Sequence, residues 1–239
     1  FQHHGRFSNT NAKKCLAQIN ESQEKAIHFL ENAEFLILTF GTAYVYEWRE
    51  NGKIVANCHK IPARNFRRFR LTVNDIIEKI GATIESLQTQ FPKLKIIFTL
   101  SPIRHWKDGA ADNQVSKAIL RLSIDELCRR FSNTFYFPAY EIMMDDLRDY
   151  RFYESDMIHP NKTAIDYIWQ HFKVSFLEEK EENLMREIEK IKQAANHRPL
   201  QPKSEAHLKF KQKQLAKIAV LEKKYDFLDF EVEKQHFKD

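Results

Sequence analysis

Glycine and proline are scarce in this chain, five and seven of 239 residues, which argues against a loop-rich or collagen-like polymer. Cysteine is scarcer still. Cys15, Cys58 and Cys128 are odd in number and show no C-x-x-C spacing, so a disulfide framework and a cysteine zinc site both drop out. Their fewness favours a reducing compartment such as the cytoplasm. No apolar run approaches the roughly 18–20 residues needed to cross a bilayer, and a membrane is not expected as a partner. No basic-then-apolar leader is visible, although the chain opens at Phe1 and a leader could have preceded it. Among catalytic and metal signatures, G-x-S-x-G, G-D-S and H-x-x-x-H are all missing.

What is present suits a folded chain: 43% apolar and 30% charged residues can bury a full core. The length accommodates one domain of ordinary size plus an appendage. The net charge of +5 is unevenly placed. Arg64, Arg67, Arg68 and Arg70 form one cluster, and lysines crowd the stretch from Lys203 to Lys224. Clusters of this kind are most often solvated faces, and less often anion or nucleic-acid sites.

Three short apolar runs read as buried parallel strands: Phe35 to Phe40, ending at Gly41; Leu94 to Leu100, stopped by Ser101-Pro102; and Thr134 to Phe137, stopped by Pro138. Between the first two, Val73, Ile76, Ile77, Ile80, Ile84, Leu87 and Phe91 recur at helical spacing, with Thr72 and Asp75 as a capping pair. Val115, Ala118, Ile119, Leu122 and Phe131 outline a second helix. Ala164, Ile165, Ile168, Trp169 and Phe172 outline a third, after Pro160. Alternating strands and helices predict an α/β fold, a three-layer α/β/α parallel sheet with right-handed crossovers. Asn51-Gly52, between Tyr44–Trp48 and Lys53–Asn57, predicts a type I′ hairpin inserted into that alternation. Asp145 to Ser155 reads as a loop. Beyond about Phe176 the chain becomes rich in Glu and Lys, with Leu184, Ile188 and Ile191, then Leu208, Leu215, Ile218 and Leu221, as thin stripes around a break from Asn196 to Pro202. A charged helical hairpin or coiled coil over 177–239 is expected, more as a packing or self-association element than as a functional module.

The sharpest chemical signal is Asp156-Met157-Ile158-His159-Pro160-Asn161. A histidine three residues after an aspartate can donate one ring N–H to that carboxylate, which fixes the tautomer and stabilises the imidazolium when the other nitrogen takes a proton. About half a D-x-x-H match is expected by chance; the following proline lowers that to roughly one or two in a hundred. The bland alternative is a helix cap beside a surface histidine. Gly41, at the end of a strand, can turn sharply and aim its N–H at an oxyanion, with Thr42 adding a hydroxyl, though ordinary turn chemistry explains it equally well. Arg104 and His105 leave the second strand on the same presumed edge and can bind a carboxylate, phosphate or sugar hydroxyl, or simply form a structural pair. His3, His4, Cys58 and His59 lack metal-site spacing, so no metal and no cofactor is expected.

This arrangement resembles the SGNH (GDSL-like) hydrolases and, more closely, the GSCFA-domain family within that clan. The matching stretches are His4–Ser8, Thr39–Tyr44, Asn57–Lys60, Leu100–Trp106, Pro138–Asp146 and Asp156–Asn161, spanning about His3 to Phe172. The resemblance implies a flavodoxin-like strand order over 1–176, Asp156 and His159 as acid and base of a triad, and Gly41 as an oxyanion-hole glycine. It also implies a nucleophilic serine in a G-S-C-F-A block, which the sequence does not contain, so the serine is expected upstream of Phe1 and the chain alone is expected to be inactive. Ala43 stands where many SGNH enzymes carry the asparagine of G-x-N-D, which removes one donor. The function expected is a serine esterase or acyltransferase acting on small-molecule or carbohydrate O-acyl esters, with Trp48, His105 and Trp106 near the site. The rivals are a non-catalytic assembly protein that uses the helical arm and, more weakly, a nucleic-acid binder, which the acidic run from Glu178 to Glu189 opposes.

Overall fold

The structure is a computed structural model that describes residues 1–197, 199 and 204–238. The chain divides into two compact units, Phe1–Ile168 and Trp169–Asp239. The elements in chain order are α1 (Ala12–Asn32), β1 (Phe35–Phe40), β2 (Tyr44–Trp48), β3 (Lys53–Val55), β4 (Phe66–Arg70), α2 (Val73–Gln90), β5 (Lys95–Leu100), α3 (Gly109–Arg130) and β6 (Thr134–Phe137). There follow a short turn α4 (Ala139–Glu141), continued as one π-helical turn through Asp146, and then α5 (Lys162–Phe176), α6 (Glu179–Asn196), α7 (Glu205–Lys224) and α8 (Glu231–Lys238).

The first unit is built on a parallel sheet in the order β1-β5-β6. The register sets Leu36 beside Ile96 and Leu38 beside Phe98, with Tyr136 opposite Phe98. Because side chains alternate along a strand, these residues share one face. They pack with Ile77 and Ile84 of α2 and Ile124 and Leu127 of α3. On the other face Ile97 and Phe137 are buried, whereas Phe35, Ile37 and Phe135 are exposed. The expected α/β fold with a parallel sheet and a helical C-terminal region is thus what the chain forms. Helix α2 begins at the predicted capping box: Thr72 Oγ1 accepts the Asp75 N–H and the Asp75 carboxylate accepts the Thr72 N–H.

Helix α3 does not bury the face outlined by Val115 and Leu122, both of which are exposed. It buries Asn113, Ser116, Lys117, Leu120, Ser123, Ile124 and Leu127. Polar residues on the buried side erase the apolar period that sequence reasoning follows. In α5, Ala164 is buried but Ile165 and Trp169 are exposed. The hairpin forms, yet Trp48 pairs with Lys53 across a four-residue loop, and of that loop only Gly52 has a positive φ, so it is not a type I′ turn. Of the arginine cluster, Arg67, Arg68 and Arg70 lie on strand β4, paired with β2, and Arg64 lies in the turn before it. Arg67, Arg68 and Arg70 bond Glu47, Asp108 and Asp112 respectively.

In the second unit, α6 and α7 do not rest on thin stripes alone. Ile191 and Ala195 of α6, Ile218 of α7, Phe230, and Phe237 of α8 form a separate core, with Leu215, Leu221 and Leu228 packed against it. A coiled coil is not shown among the described residues; the short helix α8 closes a small cluster. The expected break and the start of the lysine stretch fall partly outside the described residues, at Pro202 and Lys203. Among the described residues no helix is long and apolar enough to cross a membrane.

Candidate active site

The turn that carries Asp156 and His159 is fixed by short-range backbone bonds. Tyr153 and Pro160 form an antiparallel bridge, the Glu154 N–H donates to the His159 carbonyl at 2.8 Å, and the Met157 N–H donates to the Glu154 carbonyl at 2.9 Å. Met157, at the tip, adopts a left-handed φ of 59°, unusual for a residue with a long side chain. Asn161 caps α5: its Oδ1 accepts the Ala164 N–H at 3.1 Å, and its amide donates to the Arg151 carbonyl at 2.7 Å. The capping role therefore belongs to Asn161, which leaves Asp156 free for another.

Asp156 grips its histidine twice. Oδ1 accepts the N–H groups of Ile158 and His159, both at 2.9 Å, and Oδ2 lies 2.5 Å from His159 Nδ1. The His159 backbone N–H, then its ring, then the Ile158 N–H hold the carboxyl down at a pKa of about 2. An ionised carboxylate can only accept, so Nδ1 carries the proton and Nε2 is left as a base. The His159 side chain is 56% exposed and that of Asp156 45%, so the pair lies at the surface of the described residues.

Gly41 and Thr42 lie at the carboxyl end of β1. A Cβ added to Gly41 would stand 3.3 Å from His105 Nε2, so the imidazole rests on the bare face of the glycine. Burial first, and the Lys117 charge second, push the His105 pKa down, which keeps the ring neutral near pH 7. The His105 N–H donates to Asn113 Oδ1 at 2.9 Å. Beneath the turn, Ser116 Oγ accepts the Ala43 N–H at 2.8 Å and lies 3.1 Å from Thr42 Oγ1. Among the described residues, the Gly41 and Thr42 N–H groups donate to no other group.

Arg104 joins this cluster to the dyad turn. Its guanidinium lies 5.3 Å from the Tyr153 ring and 3.4 Å from the Tyr153 hydroxyl, and Tyr153 is the residue whose backbone bridges Pro160. Arg104, Met144, Arg148, Tyr150 and Tyr153 line a cleft of about 160 Å³. Gly41 and His105 thus come together, Thr42 follows Gly41 on the same turn, Asp156 and His159 come together, and Arg104, next to His105 in sequence, meets Tyr153 of the dyad turn. Among the described residues no hydrogen bond or ion pair joins His159 directly to Gly41 or His105. Trp48 takes no part: it stacks on Phe1 at 4.7 Å and packs edge-on to Phe66.

Sequence reasoning missed Asn113, Ser116 and Lys117. A serine and a lysine three and four positions after an asparagine share one helix face, but nothing in their local sequence shows that face to be buried.

A family model described as the GSCFA family matches residues 1–172. The chain belongs to the GSCFA family. A second model, the C-terminal domain of GSCFA domain proteins, matches residues 188–239, the stretch that holds the separate helical core. No curated protein matches the chain. A solved structure described as "a putative platelet activating factor from Streptococcus pneumonia" is similar at 16% identity and a TM-score of 0.35, over 70% of this chain and 99% of that one.

Proposed function

We propose that this GSCFA chain supplies the base and the oxyanion-binding end of a serine esterase or acyltransferase site of SGNH type, acting on O-acyl esters. The observation that carries the proposal is the Asp156–His159 pair, in which a carboxylate anchored on two backbone N–H groups engages Nδ1 of a half-exposed imidazole. In this reading Nε2 takes the proton of a serine hydroxyl as its oxygen bonds to the ester carbonyl carbon. It then returns the proton to the departing alcohol, leaving an acyl-enzyme that water or an acceptor hydroxyl resolves. The unengaged N–H groups of Gly41 and Thr42, with neutral His105, supply donors for the carbonyl oxygen as it becomes negative. That set would make good the asparagine donor that Ala43 lacks. Arg104 and Arg148, which line the cleft beside Tyr153, suit a polar or sugar-bearing ester better than a long acyl chain.

The test is hydrolysis of p-nitrophenyl acetate by the full-length protein. His159→Ala is expected to lower kcat by about 10³-fold or more while leaving the far-UV and near-UV circular dichroism unchanged. Wild-type turnover in that variant would remove the proposed base.

A further inference from the structure

Lys117 is the most anomalous side chain in the first unit. It is 2% exposed, and among the described residues it has no carboxylate partner. Its ammonium instead donates to two backbone carbonyls, Gly41 at 2.7 Å and Ser101 at 2.6 Å. These two residues directly follow β1 and β5, neighbouring strands of the parallel sheet. Desolvation lowers the lysine pKa to about 8. An unpaired buried cation is costly, and a well-packed apolar side chain of similar volume commonly leaves a fold as stable or more so. Gly41 and Ser101 are only half-buried, so water could serve their carbonyls instead.

What the lysine does that water cannot is set direction. In a trans peptide the C=O and the following N–H point opposite ways. With the Gly41 carbonyl drawn down to Lys117, the Thr42 N–H is turned away from the helix. One residue on, Ser116 draws the Ala43 N–H inward. We infer that Lys117 and Ser116 are positioning residues that hold the Gly41–Ala43 turn with the Thr42 N–H directed outward as an oxyanion donor. Asn113 completes the same helix face by anchoring the His105 backbone. The inference rests on the ester-cleaving function proposed above.

The experiment compares Lys117→Met, Ser116→Ala and His159→Ala in the full-length protein with p-nitrophenyl acetate. Lys117→Met is expected to lower kcat about 10- to 100-fold, as a displaced catalytic donor does. KM should change by less than about threefold and the urea midpoint should not fall. The His105 imidazole, followed by NMR, should titrate at higher pH once the neighbouring positive charge is gone, with Asp108 and Arg68 still beside it. Wild-type kcat in folded Lys117→Met overturns the inference. If that variant does not fold, Ser116→Ala decides: a kcat loss at unchanged KM supports the positioning role, and wild-type kcat rejects it. The two failures are separable. Inactive His159→Ala beside fully active Lys117→Met removes only the inference, whereas active His159→Ala removes the esterase reading and the inference with it.

Discussion

At the Asp156–His159 turn the bonds that orient the imidazole span two or three residues, whereas at the Gly41 turn the bonds from α3 to the β1 end span 73 to 76. The first device is solvent-exposed and made of one carboxylate and its own backbone. The second is buried and made by a helix that crosses beneath two strand ends. A local turn can be specified by a handful of residues and can survive loosening elsewhere. A long-range clamp exists only when the whole sheet is assembled, and it carries the desolvation cost of Lys117. The contrast predicts that changes in the dyad alter rate with little effect on stability, and that replacing Lys117 lowers rate while stability holds or rises as the desolvated charge is removed.

The largest expected effect is at the dyad. Asp156→Asn keeps an oxygen for the backbone N–H groups but no longer holds His159 in the tautomer that frees Nε2, so kcat should fall about 10³-fold. Thermal unfolding at neutral pH should fall by only a few degrees, because both side chains are half-exposed and the contribution of the ionised carboxylate is screened by water. A drop in Tm of more than a few degrees would show that the turn is structural. The pH dependence has a fixed sign: a carboxyl held at about 2 contributes stability above its unfolded value near 4 and loses it as pH falls toward 2. Asp156 should therefore remain ionised throughout any neutral or mildly acidic assay, as carboxyl NMR shifts would register.

The clamp should answer to pH in the opposite range. Lys117 titrates near 8 in the fold and near 10.5 when unfolded. Between those values the unfolded chain binds the additional proton, so stability rises with pH there, by up to about 3 kcal/mol. Urea midpoints at pH 7.5 and 10 should show this rise in the natural chain, and a smaller one in Lys117→Met. Equal slopes would mean that the ammonium is not desolvated.

The same contrast explains what was legible in the sequence. D-x-x-H-P could be read because its geometry is local, and α2 because its apolar period and capping pair lie within one segment. The parallel sheet was legible as three apolar runs, each stopped by Gly or Pro. The α3 clamp was not, because Asn113, Ser116 and Lys117 look like a solvated face until β1 and β5 end above them. Strand β4 was hidden by its arginines, which pair with carboxylates of β2 and of the residues around the start of α3. Helix α1 gives little signal, because none of its residues is buried. In the second unit the helical stretch was legible but α8 was not, and its Phe237 joins the core formed with the two longer helices.

A smaller effect tests the contact between glycine and imidazole. In Gly41→Ala the new methyl would stand 3.3 Å from His105 Nε2, so the ring or the turn must give by a few tenths of an ångström. A cost of roughly 1 kcal/mol is expected from this overpacking, together with about a tenfold loss of kcat as the donors shift. If His105→Ala restores the stability of Gly41→Ala but not its activity, the steric account and the proposed donor role are both supported. Restoration of both would make His105 a bystander.

The smallest effect falls on the dyad turn and isolates its backbone. Met157 sits at a φ of 59° with its side chain about half exposed, so its left-handed conformation is held by the flanking bonds and not by packing. Glycine adopts that conformation without steric penalty, and Met157→Gly should stabilise the fold by roughly 0.5–1 kcal/mol as the strain is relieved. The Asp156–His159 bonds do not involve the Met157 side chain, so kcat should stay within about threefold. A large loss of activity at raised stability would show that the strained methionine, and not the carboxylate alone, aims the imidazole, and would make the turn as dependent on its surroundings as the clamp is.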